Sequence, residues 1–238
     1  CGGLCDGVAG SAQSMTTAGA VGVEAHYPVW DRVVRTIHWY FPLAIATMWW
    51  SGEQGRMDIH EWVGYSMIVA GLTRIAWGFI GSEAARFGHF LTGPSGIWRY
   101  LKQGGNHRGH TPLGALSVIA LLVLLLAQSV SGTMSSDDLL FEGPFSYWAG
   151  DWAGAITEWH ETNWRLLQVF IALHLLAIGW YQFRKKEPLI QAMWRGRWGT
   201  KFSQTPPSPQ WQAVLTAVAV VGLLGTLIAV APEAPSYY

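Results

Sequence analysis

The chain has 238 residues, half of them hydrophobic and only 13% charged, against about 25% charged in a soluble domain. Lys plus Arg equals Asp plus Glu at 15 each, so the basic footprint of a nucleic-acid binder is missing, and disorder would need far lower hydrophobicity. An integral membrane protein remains, and 15 Trp fit it, because Trp collects at membrane interfaces.

Residues 1–28 are rich in Gly, Ala, Ser and Thr and read as a flexible tail. Its Cys1 and Cys5 cannot staple the body of a fold, and they lack the Cys-x-x-Cys-His spacing of c-type haem attachment. Met15 is a candidate start, and a lipid on Cys1 would conflict with the orientation derived below.

Five segments then approach the roughly 20 apolar residues that cross a bilayer. They run from about Val33 to Ser51, Glu61 to Gly81, Leu113 to Gly132, Trp164 to Phe183 and Trp211 to Val230. The third and fifth are almost pure Leu, Val, Ala and Ile. The first, second and fourth carry His or Arg, which within a bilayer face protein or a bound group. Pro42 is a candidate kink in the first, tolerable in a membrane helix. The loop from Thr133 to Asn163 is long for a simple connection, and long loops are often functional.

Twelve of the 15 basic residues fall on one side: Arg32, Arg35, the loop from Arg86 to Arg108, and the stretch from Arg184 to Lys201. The positive-inside rule puts that side, and the N-terminus, in the cytoplasm of a bacterial inner membrane. The C-terminus then lies outside. The opposite loops carry Glu53, Asp58, Asp137, Asp138, Glu142, Asp151 and Glu158.

Four of the eight histidines sort by depth. His38 lies near the cytoplasmic start of the first segment and His60 at the outer start of the second. His160 and His174 lie 14 residues apart on the fourth. That is almost four turns, so they share a helix face about 21 Å apart. Two pairs match in depth, His60 with His160 outside and His38 with His174 inside. Imidazole is a usual axial ligand of haem iron. The arithmetic therefore predicts two bis-histidine b-type haems stacked across the membrane. A zinc or di-iron centre would need ligands converging at one depth, and the inner half has no carboxylates. Arg74, 14 residues after His60, and Arg35, three before His38, are candidate contacts for haem propionates. Arg165 is turned off the haem face. His110, at the start of the third segment, is a candidate inner-haem or quinone contact, while His26, His89 and His107 read as loop residues.

These residues sit in ordered motifs. Val-Trp-Asp-Arg-x-x-Arg-x-x-His-Trp spans Val29–Trp39, followed by His60-Glu61-x-x-Gly64, Arg74-x-x-Trp77-Gly78-Phe79-x-Gly81 and Ala85-Arg86-Phe87. Then come Gly109-His110-x-Pro112-x-Gly114, His160-Glu161 with His174, and Glu187-Pro-Leu-x-x-x-Met193-x-x-Gly196. From about Val29 to Trp198 the chain resembles the bacterial di-haem cytochrome b family, which includes cytochrome b561 and the b-type subunits of nickel–iron hydrogenases. The resemblance implies an all-α membrane protein. A four-helix haem-binding bundle would occupy residues 29–200, and a linker and extra transmembrane helix residues 201–238. It also implies electron exchange between membrane quinone, bound near His38, Arg74, His110 and His174, and a periplasmic partner. That partner would be a c-type cytochrome or an oxidoreductase subunit, steered by the acidic outer loops. Two alternatives stand beside this reading: a free-standing oxidoreductase passing electrons between a small molecule such as superoxide and quinone, and a haem-free membrane anchor. The fifth segment and the Cys-containing tail have no counterpart in the minimal four-helix members.

Overall fold

A computed structural model describes residues 28–91, 93–103, 111–136, 141–196 and 205–232. Five long helices dominate it. They are α1 (Arg32–Glu53), α2 (Met57–Ile80), α3 (Pro112–Met134), α4 (Ala153–Gly179) and α5 (Trp211–Val230). Short helices at Phe87–Phe90, Pro94–Gln103, Ser146–Ala149 and Leu189–Arg195 fill the connections. A lone bridge between Ser136 and Glu142 is the nearest thing to a strand among the described residues.

Local chemistry sets the helix starts. Asp31 caps α1, its carboxylate accepting the Val34 N–H at 2.8 Å. Thr111 caps α3 through the Gly114 N–H at 3.1 Å, with Pro112 in the first turn, where its missing N–H costs nothing. α1 runs unbroken through Pro42, which lacks the N–H that would bond the carbonyl of His38.

α2, α3, α4 and α5 are long and apolar enough to cross a membrane. α1 is of similar length at 22 residues, but its His, Tyr, Trp and Arg side chains dilute its hydropathy. The expected five spans therefore become four by composition, with α1 as the fifth long helix. α4 departs most from expectation: it begins at Ala153, eleven residues before the apolar stretch at Trp164. Residues 153–163 are polar but helix-compatible, so hydropathy misses them while the backbone simply continues. At its other end α4 widens into a π-helical turn over Trp180–Arg184.

α2 packs against α1, α3 and α5, and α3 packs against α4. α1 and α4 do not pack along each other. Their side chains nevertheless meet in a mid-bundle cluster of Ala44, Met67, Leu125 and Leu167, one from each of α1 to α4. Leu167 is seven residues from both His160 and His174, at the centre of α4's inward face. A second cluster gathers Val29, Trp30, Val34, Trp77, Ala85, Ala192 and Ala213 at the basic end. α5 buries only Ala213, so it lies outside the four-helix core. Leu43, Trp62 and Phe183, each more than 70% exposed, belong to the lipid-facing surface expected of a membrane bundle.

Candidate functional site

At the acidic end of the bundle, His60 of α2 and His160 of α4 face each other. Their ring centroids are 6.3 Å apart. Two imidazoles held on opposite sides of one metal ion, with bonds of about 2.0 Å, have centroids about 6 Å apart. The Nδ1 atoms turn away from this gap. His60 Nδ1 donates to the Met48 carbonyl at 3.0 Å, with the Ser51 hydroxyl 3.3 Å away. His160 Nδ1 donates to the Ser131 hydroxyl at 3.0 Å. Tying Nδ1 to an oxygen fixes the ring and leaves the lone pair on Nε2, the usual arrangement around a metal-bound histidine; in His160 that lone pair meets the Gln128 side chain at 3.0 Å.

Two clefts flank the ring pair and share His60, His160, Met48, Gln128, Ser129 and Glu161 in their walls. One, of about 190 Å³, opens between α1 and α4 past Trp49 and Trp164. The other, of about 250 Å³, lies between α2 and the chain after α3, near Tyr65, Phe141 and Thr157. Both clefts reach the two histidines, so a group held between His60 and His160 would have open space on two sides of the ring pair. Gly132 keeps that space open, since a Cβ there would lie 2.9 Å from His160 Cε1. The donor set and the space both fit a haem.

At the basic end, His38 of α1 and His174 of α4 are both partly buried. His174 Nδ1 is 3.4 Å from the Ser117 hydroxyl. His38 Nδ1 is buried without a hydrogen-bond partner among the described residues. The structure brings His60 and His160 into ring contact at one end of the bundle and carries His38 and His174 on α1 and α4 at the other.

The arginines are engaged beside this end. Arg35 donates to the Trp194 carbonyl at 2.7 Å. Arg74, 6% exposed, reaches the Ala85 carbonyl at 3.5 Å and lies over the Phe87 ring. His89 pairs with Glu83 at 3.7 Å, in the connection after α2, and Arg165 is exposed. His110, with His26, His107, Cys1, Cys5, Asp137 and Asp138, lies outside the described residues.

Several positioning residues escaped sequence reasoning. Asp31 joins three elements: besides capping α1 it accepts the Trp77 indole N–H at 2.8 Å and the Ser82 hydroxyl. Val29 and Gly196, the two ends of the motif series, bond directly at 2.9 Å. Asn163 is fully buried and donates to the side chain of Gln128, which contacts His160. A Gln inside the run Leu124–Val130 was the available signal, because a polar side chain in an apolar span needs a partner or a role.

A family model described as prokaryotic cytochrome b561 matches residues 29–196. No curated protein and no solved structure matches the chain. The match covers well over half of the residues and includes all four helices that carry or face the paired histidines, so the chain belongs to the prokaryotic cytochrome b561 family of membrane b-type cytochromes in electron transfer.

Proposed function

We propose that the chain carries two b-type haems, one between His60 and His160 and one between His38 and His174. Through them it moves electrons between membrane quinone and a periplasmic redox partner. The observation that supports this best is the His60–His160 pair, with centroids 6.3 Å apart and Nδ1 atoms bonded away from the gap. Haem, when bound, supplies reversible one-electron chemistry whose potential depends on axial ligands, hydrogen bonds and burial.

The chain's residues supply the rest. Met48 and Ser131 orient the ligands of the outer pair, and Ser117 orients His174. The cluster around Leu167 keeps water from the middle of the path. The basic end faces the cytoplasm on the positive-inside argument, and the family resemblance is what suggests quinone there, with His38, His174, Arg74 and His110 as the candidate contacts. Arg35 and Arg74, at the same end, are the cations available to haem propionates. At the other end Glu53, Asp151 and Glu158 are exposed and offer a negative surface to a basic partner such as a c-type cytochrome.

Reduced-minus-oxidised spectra of the purified chain test this reading. Two b-type components are expected, both reducible by a membrane quinol. No b-type band would overturn the haem assignment, and bands that no quinol reduces would overturn the quinone. Copurification with a stoichiometric periplasmic redox protein supports the subunit role. Turnover of superoxide by the chain alone would replace it with the free-standing oxidoreductase.

A further inference from the structure

Gln128 and Asn163 are amides inside an apolar bundle, and nothing above uses them beyond contact. Their protons can be assigned from one backbone atom. The Leu124 carbonyl can only accept, so the Asn163 atom 3.0 Å from it is the amino nitrogen Nδ2. The same Nδ2 lies 2.7 Å from the Gln128 side chain, which must present its oxygen there. The Gln128 amino group is then turned to His160, 3.0 Å from Nε2. An amino group donates, so His160 Nε2 accepts and the ring proton sits on Nδ1. Ser131 agrees: its hydroxyl donates to the Gln128 carbonyl at 3.1 Å, leaving a lone pair for the Nδ1 proton at 3.0 Å. From Leu124 to His160 each step leaves one choice.

A second observation stands apart from this chain. Asn163 Oδ1 is buried without a hydrogen-bond partner among the described residues, a condition that is costly in a folded protein. It belongs to the same pair of amides as the Gln128 amino group. When iron takes the His160 lone pair, that amino group loses its acceptor, and Asn163 Oδ1 can accept it. The two amides would then close a reciprocal pair with two hydrogen bonds.

We propose that Gln128, held by Asn163, is a positioning residue for haem ligation by His160. It holds His160 as the Nδ1–H tautomer, covers the Nε2 lone pair until iron binds, and then turns its amino group to Asn163. The proposal rests on the haem reading above.

The test uses the full chain with Gln128→Met, which keeps the volume and removes the amide, and Gln128→Glu, which offers His160 Nε2 only acceptors. Haem content and haemin titration are read at both sites, and the inner haem reports whether the bundle has folded. Outer-site haem affinity is expected to fall about 10–100-fold, the usual cost of removing an outer-shell partner of a metal-bound histidine, while the inner haem is retained. Nitrogen-15 spectra of the haem-depleted chain are expected to show His160 protonated at Nδ1 in the wild type and at Nε2 in Gln128→Glu. Wild-type outer affinity in both variants, or an unchanged tautomer in Gln128→Glu, overturns the proposal. His160→Ala separates the two ideas: if it keeps both haems, the haem reading itself fails. If it loses the outer haem while both Gln128 variants bind normally, only the role of Gln128 fails.

Discussion

Asp31 shows how much one side chain can hold together. One carboxylate oxygen ends the backbone of α1, and the other receives the Trp77 indole and the Ser82 hydroxyl. Asp31→Ala removes a cap worth about 1 kcal/mol and leaves a buried indole N–H unpaired at a further 1–3 kcal/mol. The expected outcome is a loss of about 3 kcal/mol, read as a lower thermal midpoint in detergent, with both haems still bound below that midpoint. Asp31 was visible in the sequence only as a letter in a motif, because its partners are 46 and 51 residues away. The four histidines were legible for the opposite reason. An imidazole in a bilayer needs a partner, and helical spacing alone puts His160 and His174 on one face. His38 and His60 then had to be matched only by depth. The proton on His160 was not legible, since it depends on contacts across α3 and α4.

At the scale of the element, α4 acts as a ruler. His160, Leu167 and His174 are spaced by seven, two turns each, so all three face the bundle. Inserting one Ala after Leu167 turns His174 about 100° relative to His160. The insertion should therefore abolish one haem, and spectra should show a single b-type component. The ruler's upper part was hidden, because Ala153–Asn163 reads as a polar loop until the helix is seen to run through it. α3 and α5 were legible end to end as runs of Leu, Val and Ala, but nothing in such a run says which neighbour it meets. α3 approaches α2 so closely at Gly71 that a Cβ there would lie 2.7 Å from Leu126 Cδ2. α5 packs mainly along α2, with Ala213 joining the cluster at the basic end. Truncation before residue 205 is expected to leave both haem spectra unchanged, and loss of either would mean that α5 shapes the core.

On the proposed reading, the described bundle holds two ligand pairs with the cluster around Leu167 between them. His174→Ala is expected to remove the inner haem, keep the outer one, and abolish reduction of the outer one by quinol. Reduction at the wild-type rate would show that electrons enter by another route. The layer around Leu167 is built from Ala44, Met67, Leu125 and Leu167, with Ile45, Val63, Leu121, Leu124 and aromatic side chains packed against them. The step of about 21 Å from His160 to His174 spans roughly two thirds of a 30 Å hydrocarbon core. At 100 mV that step is worth about 1.6 kcal/mol. In sealed vesicles an imposed 100 mV should therefore shift the balance of reduction between the two haems by about 15-fold. On the two-haem reading, the spacing of His160 and His174 along α4 would make electron transfer answer to voltage: electrons driven one way would meet a counterforce that grows with the potential across the membrane.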